Sequence, residues 1–450
     1  MAALRAVSLF SNCGAGDLGY RRGGFRFEIL AELEPHRLDV ALRNHPRAQG
    51  VCGDLRHTLT QVLALWRERR GDEQPALLAA CPPCQGLSTA RGGLGSGSDP
   101  IAGSRDPRNL LVEVISQAAS ELRPRAIVVE NVPTFLSRKV VHPSLGTPVS
   151  AALLLIDRLA DDYMVWPVLM DLADFDVPQT RRRSFLTLLR RDETAIQRLH
   201  ADGAVPYPRP VAEGQHTTLG QALEEMCLPP LDALDPDSAV DPSRPLHRVP
   251  VWLPQQYAMV SAIPADSGRS AWQNLHCPNC DASGTGEDTS CPRCGTRLLR
   301  PIVDDSSGPR LVAGFRRSSY SRMDPRKPAA TITTASGRVG SDNTLHPSQN
   351  RVLSALECQL LQTIPESFDW GDHVHTTGHT HIRGMIGEAV PPAFTRAHGR
   401  ILASLLEGRR PHRTMRADDS RVQKALDVLK CAMIGARELD LERFDGALGA

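Results

Sequence analysis

The sequence predicts an α/β fold built on a doubly wound, Rossmann-like sheet, with a second, smaller domain later in the chain. Two observations predict the sheet. Short apolar runs alternate with segments of helical periodicity up to about residue 195, and the first run breaks into a glycine-rich loop, SNCGAGDLG. A third observation predicts the smaller domain, because prolines cluster and periodicity fades between about residues 200 and 320.

Each strand is an apolar run of four to eight residues bounded by turn residues. Strands are predicted at RAVSLF (5–10), FRFEILAE (25–32), GVCGDLRH, PALLAA (75–80), RAIVVENV (125–132) and on both sides of the turn in MVWPVLMDLADFDVPQTRRRSFLTLLRR. Helices are predicted where apolar residues recur every three or four positions, in PHRLDVALRNHP, LLVEVISQAASELRP and LSALECQLLQTIP. The last 40 residues predict one or two amphipathic helices.

Bulk composition bounds the class of protein. A chain of 450 residues has room for two or three domains. The formal net charge of +1 excludes a strong overall field for a polyanionic partner, although a local basic cleft stays compatible with it. No apolar run of membrane-spanning length and no leader pattern occur, so we expect no membrane association and a cytoplasmic location. In that compartment the eleven cysteines are expected as ligands, nucleophiles or buried thiols rather than disulfides.

The glycine loop and two acidic residues predict an adenosine-containing cofactor. Gly14 and Gly16 follow the first strand, where small residues let the backbone approach a nucleotide-like ligand. Glu32 ends the second strand, where ribose hydroxyls would be bound, and Asp54 ends the third, where an adenine amino group would be met. The full G-x-G-x-x-G is missing, so a methyl-donating adenosyl cofactor fits better than NAD.

The segment CPPCQGLS (81–88) allows three interpretations: a redox dithiol, half of a metal site, or a nucleophile with a neighbouring thiol. The residues after Cys84 are too rich in Gly and Ser for the helix of a thioredoxin-like dithiol, and no two further ligands lie nearby at matching spacing. A nucleophile needs a carboxyl group and cationic donors. Glu130 in VVENVP and the arginines of PQTRRRSF supply them.

A second cysteine pattern predicts structural zinc. HCPNCDASGTGEDTSCPRCG places two C-x-x-C pairs ten residues apart, which brings four thiolates to one tetrahedral centre. Four thiolates leave no open position for chemistry, so the metal would stabilise a region too poor in apolar residues to fold alone. The predicted ligands are Cys277, Cys280, Cys291 and Cys294.

The motifs LFSNCGAGDLGY, PPCQG, ENVP, VPQTRRRSF and IGEAVPP, in this order, resemble those of the DNA (cytosine-5) methyltransferase family. Together with the cysteine pattern described above, the resemblance implies an S-adenosylmethionine-dependent methyltransferase (Rossmann-like) doubly wound sheet with a smaller, zinc-containing target-recognition domain. It also implies a division of the chain into a catalytic and cofactor-binding domain (1–199), a target-recognition domain (200–320) with a zinc ribbon (277–294), a return to the catalytic domain (321–405) and a C-terminal helical tail (406–450).

The resemblance assigns catalytic roles residue by residue. Cys84 would attack C6 of a cytosine flipped out of the duplex, and Glu130 would hydrogen-bond the N3 edge of that base. Arg183 would hold the base carbonyl, and Arg181 would help orient Cys84 or the substrate. Cys81 stands where a glycine is common in the family, and we expect it to be a small buried filler rather than a second nucleophile.

The resemblance also implies a pocket for S-adenosylmethionine. Asn12 departs from the pattern because a glycine is usual there. The residues that line up with the family's cofactor pocket are Phe10, Asn12, Cys13, Gly14, Glu32, Leu33, Asp54, Leu55, Pro83, Leu111 and Val390.

The expected partner is double-stranded DNA, bound by a monomer, in a restriction-modification or phage-defence system whose other proteins are potential partners. Two alternatives stay open. The same chemistry would act on structured RNA such as tRNA, or the chain would be a catalytically inactive DNA-binding protein. The large zinc-containing insertion favours duplex DNA, and the intact set of Cys84, Glu130, Arg181 and Arg183 disfavours an inactive protein.

Overall fold

The computed structural model describes residues 3–83, 110–144, 146–211, 214–315, 318–376, 379–434 and 446–449. The chain forms two compact units. Unit 1 comprises Met1–Phe175, Arg182–Glu213 and Ala389–Ala450, and unit 2 comprises Asp176–Arg181 and Gly214–Glu388. No helix in the described ranges combines the length and the apolar character needed to cross a bilayer.

The described strands, in chain order, are β1 (Leu4–Leu9), β2 (Phe25–Glu32), β3 (Gln49–Cys52), β4 (Leu77–Ala80), β5 (Ala126–Asn131), β6 (Lys139–Val141), β7 (Pro148–Ser150), β8 (Tyr163–Asp171), β9 (Arg182–Arg190), β10 (Ala204–Pro208), β11 (Ile302–Asp305), β12 (Gly308–Leu311) and β13 (Thr414–Arg416). The described α-helices are α1 (Ala15–Arg22), α2 (Pro35–Asn44), α3 (Leu55–Arg70), α4 (Leu111–Leu122), α5 (Ala151–Leu159), α6 (Ala195–Asp202), α7 (Leu219–Met226), α8 (Pro254–Ser261), α9 (Ala355–Leu361), α10 (Thr380–Glu388), α11 (Pro392–Leu406) and α12 (Ser420–Ile434). Short 3₁₀ turns cover Pro133–Leu136, Leu172–Phe175, Ala271–Gln273 and Gly371–His375.

Unit 1 contains a seven-stranded sheet in the order β3-β2-β1-β4-β5-β9-β8. The first five strands pair in parallel, and β9 runs antiparallel to both β5 and β8. All residues of β4 and β5 are buried, as expected for strands covered on both faces. The predicted doubly wound sheet is thus confirmed. Its strand order reverses between β1 and β4, and ligands of such sheets bind beside the carboxyl ends at this point.

Helix α3 shows how the sequence builds these layers. The Asp54 carboxylate accepts a hydrogen bond from the backbone N–H of Arg56 at 3.0 Å and so caps the first turn. The buried face recurs at helical spacing and ends at Trp66, which is 2% exposed. Truncation of Trp66 to alanine would cost about 3–5 kcal/mol of stability. The helix stops at Gly71, whose φ of 59° is costly for other residues.

The C-terminal segment packs on the far edge of the same sheet. Helix α12 lies against β8. Beyond it, the backbone N–H of Val165 donates to the carbonyl of Ala447 at 2.8 Å, and that of Gly449 donates to the carbonyl of Val165 at 2.9 Å. One or two tail helices are predicted, and the part of the predicted segment that follows Ile434 lies outside the described residues.

Unit 2 is poor in regular structure, so side chains satisfy much of its backbone. Arg322 is 2% exposed and donates hydrogen bonds to the carbonyls of Val260, Ile263, His346 and Gln349. Such bonds replace the ladder of a helix or sheet where irregular backbone is buried. An apolar cluster containing Trp252 and Val260 forms the local core.

Candidate active site

The centre of the candidate site is the carboxylate of Glu130, which is 6% exposed near the carboxyl end of β5. Its Oε1 lies 2.9 Å from Nε of Arg183, which forms an ion pair with it. This contact lacks hydrogen-bond geometry, and Oε1 accepts no hydrogen bond from the residues that the structure describes. A buried carboxylate oxygen in this state is ready to accept a hydrogen bond from a ligand.

The sheet register explains why Arg183 meets Glu130. Because β9 is antiparallel to β5, Glu130 lies directly opposite Phe185. Arg183 is two residues from Phe185 and therefore points to the same face, as a diagonal neighbour of Glu130. Ser184 secures the pairing, since its hydroxyl donates to the carbonyls of Asn131 at 3.2 Å and Val132 at 3.0 Å.

The parallel pairing of β4 with β5 brings the start of the CPPC segment to the same carboxylate. Ala80 lies opposite Val129, so Cys81 follows beside Glu130. The Sγ of Cys81 lies 2.7 Å from Oε2 of Glu130. Cys81 is only partly buried. Its expected role as a buried filler is therefore wrong: the thiol contacts the candidate catalytic acid because strand register aligns them.

Asn131 anchors the segment that leads to the predicted nucleophile. Its side-chain amide donates to the carbonyl of Pro82 at 3.0 Å, and its Oδ1 accepts from the backbone N–H of Val132 at 2.9 Å. Pro83 follows Pro82 and is the last residue described before residues 84–109. Cys84 itself lies outside the described residues, so its role stays a prediction.

Arg181 lies in unit 2 and is fully buried. Its guanidinium donates to the carbonyls of Ile332 at 3.2 Å and Gly387 at 3.0 Å. Nearby, the Gln179 side chain donates to the carbonyl of Leu361 at 3.0 Å and accepts from the backbone N–H of Ile332 at 3.1 Å. These contacts indicate that Arg181 positions backbone, and its predicted influence on Cys84 stays a prediction.

The loop after β1 contains three residues in the left-handed backbone region. Phe10, Asn12 and Gly14 have φ values of 57°, 50° and 74°. Asparagine tolerates this left-handed region better than most residues, which explains how Asn12 stands where the family has glycine. At Gly14 a Cβ would lie 2.9 Å from the His45 ring, whose Nε2 hydrogen-bonds the Gly14 carbonyl at 2.9 Å.

Glu32 joins this loop to β2. Its Oε2 accepts from the backbone N–H of Asn12 at 2.8 Å, and its Oε1 accepts from that of Glu34 at 3.2 Å. Burial raises the pKa of the Glu32 carboxyl in spite of these donors. The following residue, Leu33, exposes 56% of its surface.

Asp54 follows β3 and is partly exposed. A side-chain hydrogen bond from Arg56 lowers the pKa of Asp54 to about 2. The carboxylate is therefore ionised at neutral pH and accepts hydrogen bonds. Ribose-binding and adenine-binding roles for Glu32 and Asp54 require such acceptors at neighbouring strand ends.

The other predicted pocket residues differ in exposure. Cys13 is fully buried, and burial raises the pKa of its thiol to about 12, so it is neutral. Leu55 and Leu111 are buried, whereas Pro83 and Val390 are partly exposed. Val390 approaches the glycine loop, since a Cβ on Gly16 would lie 3.2 Å from that of Val390.

The four ribbon cysteines of unit 2 converge on one point. Their Sγ atoms all lie within 4.8 Å of one another, with Cys277 to Cys294 and Cys280 to Cys294 both at 3.5 Å and Cys280 to Cys291 at 3.6 Å. Four thiolates about 2.3 Å from a tetrahedral zinc ion would be about 3.8 Å apart. Hydrogen bonds with Thr296 lower the pKa of Cys294 to about 5, which favours its thiolate, whereas hydrogen bonds with the other ribbon cysteines raise the pKa of Cys280 to about 12. The donor set therefore fits zinc.

Some site residues carried no recognisable signal in the sequence. Ser184 and His45 each form a hydrogen bond to backbone that is distant in the chain. Cys81 was visible in CPPC, but only the strand register shows its contact with Glu130. The contacts of Ser184, His45 and Cys81 all join segments that are far apart in the sequence.

Comparison with known proteins identifies the family. A sequence model of the C-5 cytosine-specific DNA methylase family matches residues 4–403. The chain belongs to this family. Its enzymatic class is thus that of DNA (cytosine-5-)-methyltransferases, whose members work through a covalent cysteine adduct. Residues 404–450, including α12, lie beyond the match.

Individual relatives cover most of the chain. The type II methyltransferase M1.HgaI of Avibacterium volantium is 28% identical over 401 residues, which span 86% of this chain and 95% of the relative. The type II methyltransferase M1.HphI of Haemophilus parahaemolyticus is 26% identical over 397 residues, which span 88% and 85%. A solved prophage-encoded DNA modification methyltransferase (E. coli) has a TM-score of 0.52 at 20% identity, over 90% of this chain and 99% of that one. This last likeness shows the methyltransferase fold alone.

Proposed function

We propose that this chain methylates C5 of cytosine in duplex DNA with Cys84 as nucleophile, Glu130 as the acid that binds the base edge, and Arg183 as its cationic partner. The observation that carries the proposal is the buried Glu130–Arg183 ion pair at 2.9 Å, beside the segment that leads to Cys84. The free acceptor capacity of Glu130 Oε1 supports binding of an N–H group of the base.

The proposed chemistry begins at the sulfur. The Cys84 thiolate forms a bond to C6, and the displaced electron pair of the C5–C6 double bond makes C5 nucleophilic. Glu130 favours protonation at N3, so negative charge does not build up on the ring, and the Arg183 guanidinium keeps the acid's charge balanced. After C5 has been methylated, a water molecule takes the C5 proton, the C5–H electron pair re-forms the C5–C6 double bond, and the C6–S bond breaks to release the Cys84 thiolate.

We propose that the pocket around the β1 loop holds S-adenosylmethionine, which supplies an electrophilic methyl group when bound. The Gly14 backbone, with φ of 74°, allows close approach to a ligand. Glu32 and Asp54 provide carboxylate acceptors at adjacent strand ends, and the exposed side chain of Leu33, next to Glu32 in the chain, provides an apolar surface. The other residues proposed to line this pocket are Phe10, Asn12, Cys13, Leu55, Pro83, Leu111 and Val390.

We propose that residues 200–320 recognise the target sequence and that Cys277, Cys280, Cys291 and Cys294 hold a structural zinc ion within them. The S···S distances of 3.5 and 3.6 Å support one tetrahedral centre. Backbone N–H groups of Asn279 and Arg293 also point at Cys277 and Cys291, at 3.4 and 3.3 Å. Amide-to-sulfur bonds of this kind stabilise thiolate charge. The zinc would hold the ribbon together without taking part in methylation.

The biological setting that we propose is the modification half of a restriction system, because the relatives named above are type II methyltransferases. Bisulfite sequencing of host DNA after expression is expected to show methylcytosine at one defined sequence. Scattered methylation without a common sequence would contradict the proposed setting while leaving the chemistry intact.

The chemistry is tested by two matched cysteine variants, Cys84→Ser and Cys81→Ser. Wild type and both variants are incubated with labelled S-adenosylmethionine and with duplex DNA that contains 5-fluorocytosine, which traps the covalent adduct. A parallel incubation replaces the duplex with tRNA. We expect Cys81→Ser to form the adduct and Cys84→Ser to form none. An adduct that survives in Cys84→Ser would refute the assigned nucleophile, and label transferred to tRNA instead of duplex DNA would favour an RNA substrate.

A further inference from the structure

Four arginines of unit 1 surround one carboxylate that the proposed reaction does not use. Glu28 in β2 is fully buried, and its Oε1 lies 2.5 Å from Nη1 of Arg5 and 3.1 Å from Nε of Arg26. Its Oε2 lies 2.9 Å from Nη2 of Arg69 and 2.7 Å from Nη2 of Arg70. We call these four guanidinium groups the arginine cluster.

The arginine cluster carries more positive charge than Glu28 can balance. Burial opposes ionisation of Glu28, but the surrounding guanidinium groups, Arg70 foremost, lower its pKa to about 2, so it is charged at neutral pH. Four guanidinium groups and one carboxylate leave a surplus of three positive charges (4 − 1 = 3). The C-terminus of α3, where Arg69 and Arg70 lie, offsets only about half a charge.

Hydrogen-bond capacity is also in surplus. Each guanidinium has five N–H donors, whereas a carboxylate has about four acceptor positions. Only Arg5 and Arg69 meet Glu28 with hydrogen-bond geometry. The Nε atoms of Arg26, Arg69 and Arg70 are shielded from solvent and have no hydrogen-bond partner among the described residues. The four side chains are nevertheless 19–33% exposed, so the arginine cluster is in part open to solvent.

The cluster is separate from the candidate active site. Arg5 and Arg26 pair across β1 and β2 near the amino ends of these strands. Glu32, in the proposed cofactor pocket, lies four residues further along β2, which corresponds to about 13 Å. The two sites therefore lie toward opposite ends of the strands of the same sheet.

We propose that the arginine cluster binds a phosphate-class oxyanion. Planar guanidinium groups pair with phosphate oxygens through two parallel N–H···O bonds, and a phosphate offers more acceptors and more charge than the single carboxylate present. The oxyanion would come either from a small free molecule such as pyrophosphate or from a backbone phosphate of nucleic acid. Glu28 then acts as the anchor that gathers the four arginines before the anion arrives.

The first experiment titrates sodium pyrophosphate into the full-length chain at constant ionic strength and follows binding by calorimetry. Arg70→Gln removes a guanidinium group that forms an ion pair with Glu28 but no hydrogen bond to it. Arg67→Gln is the control. Arg67 lies one turn earlier on α3, and its side chain is 61% exposed. It forms an ion pair with the exposed Glu121. We expect about tenfold weaker pyrophosphate binding in Arg70→Gln and unchanged binding in Arg67→Gln.

A second variant separates anion binding from a purely structural ion network. Glu28→Gln leaves four mutually repelling arginines, so its melting temperature should fall in either case. If the cluster binds an oxyanion, pyrophosphate should raise the melting temperature of Glu28→Gln more than that of wild type. A structural network alone predicts no such recovery beyond the effect of sodium chloride at the same ionic strength.

The duplex arm distinguishes the source of the oxyanion. If a backbone phosphate binds, the slope of log affinity against log salt for duplex DNA should be about one unit shallower in Arg70→Gln than in Arg67→Gln. Pyrophosphate binding that depends on Arg70 supports a free anion, and the altered slope supports a nucleic-acid phosphate. Loss of both effects, with both variants folded, would overturn the proposal.

Discussion

Removing the Arg183 guanidinium should damage both stability and methyl transfer. The ion pair with Glu130 is nearly buried, with side-chain exposures of 14% and 8%. Opposite charges at about 4 Å attract by about 4 kcal/mol at an effective dielectric constant of about 20. Water that enters the space left by Arg183→Ala recovers part of this energy, so we expect a loss of about 2–4 kcal/mol in the free energy of unfolding.

Neighbouring Arg182 provides the matched control. Its side chain is 80% exposed, and its nearest recorded acid is Asp171 at 3.8 Å. Exposed pairs of this kind contribute little, so Arg182→Ala should change stability by less than about 1 kcal/mol. Both variants remove the same atoms from adjacent positions of one strand, which makes the difference between them a measure of the environment of Arg183.

The assays are urea unfolding and single-turnover methylation of duplex DNA with labelled cofactor. Loss of a charged donor at a reacting centre typically slows a reaction about 100- to 1,000-fold, and we expect a loss of that size for Arg183→Ala only. Equal unfolding free energies for Arg182→Ala and Arg183→Ala, or an unchanged rate in Arg183→Ala, would refute the role assigned to the ion pair.

Three further predictions concern other groups. Cys81→Ala removes a weak thiol donor from Glu130 and should lower the methylation rate by less than about tenfold; a loss as deep as that of Cys84→Ser would contradict this. Metal analysis should find one zinc per chain in wild type and in the exposed-cysteine control Cys52→Ser, but less in Cys294→Ser. A metal-free wild type would disprove this prediction. Burial raises the pKa of Asp17 to about 7 from 3.8 in the unfolded chain, so the folded state retains a proton that the unfolded state loses. Stability should therefore fall by up to about 4 kcal/mol as pH rises from about 4 to 7, and Asp17→Asn should flatten this slope in urea unfolding at pH 5, 6 and 7.

The sequence predicted the sheet of unit 1 because its signals are local. Strands such as β4 and β5 are apolar runs bounded by turn residues, and burial on both faces requires such runs. Glu32 ends β2 and Glu130 lies near the end of β5, so the side of the sheet at which a site would form could also be predicted. The four ribbon cysteines were similarly evident from their spacing, and they converge in the structure.

Contacts that depend on register or on distant segments could not be predicted. Nothing in the sequence indicates that Cys81 aligns with Glu130, since only the pairing of β4 with β5 sets this. The destination of the Arg181 guanidinium depends on carbonyls more than 150 residues away. The arginine cluster is also invisible, because Arg5 and Arg70 belong to different elements and share no motif.

The alternation of side chains along β9 has an evolutionary consequence. Side chains alternate between the two faces of a strand, so deletion of one residue between Arg183 and Phe185 would turn the guanidinium away from Glu130 and toward the opposite helical layer. At Ser184, a substitution should be tolerated more readily than the insertion or loss of a single codon. Deep mutational libraries that include single-codon deletions would show it as a narrow zone of intolerance.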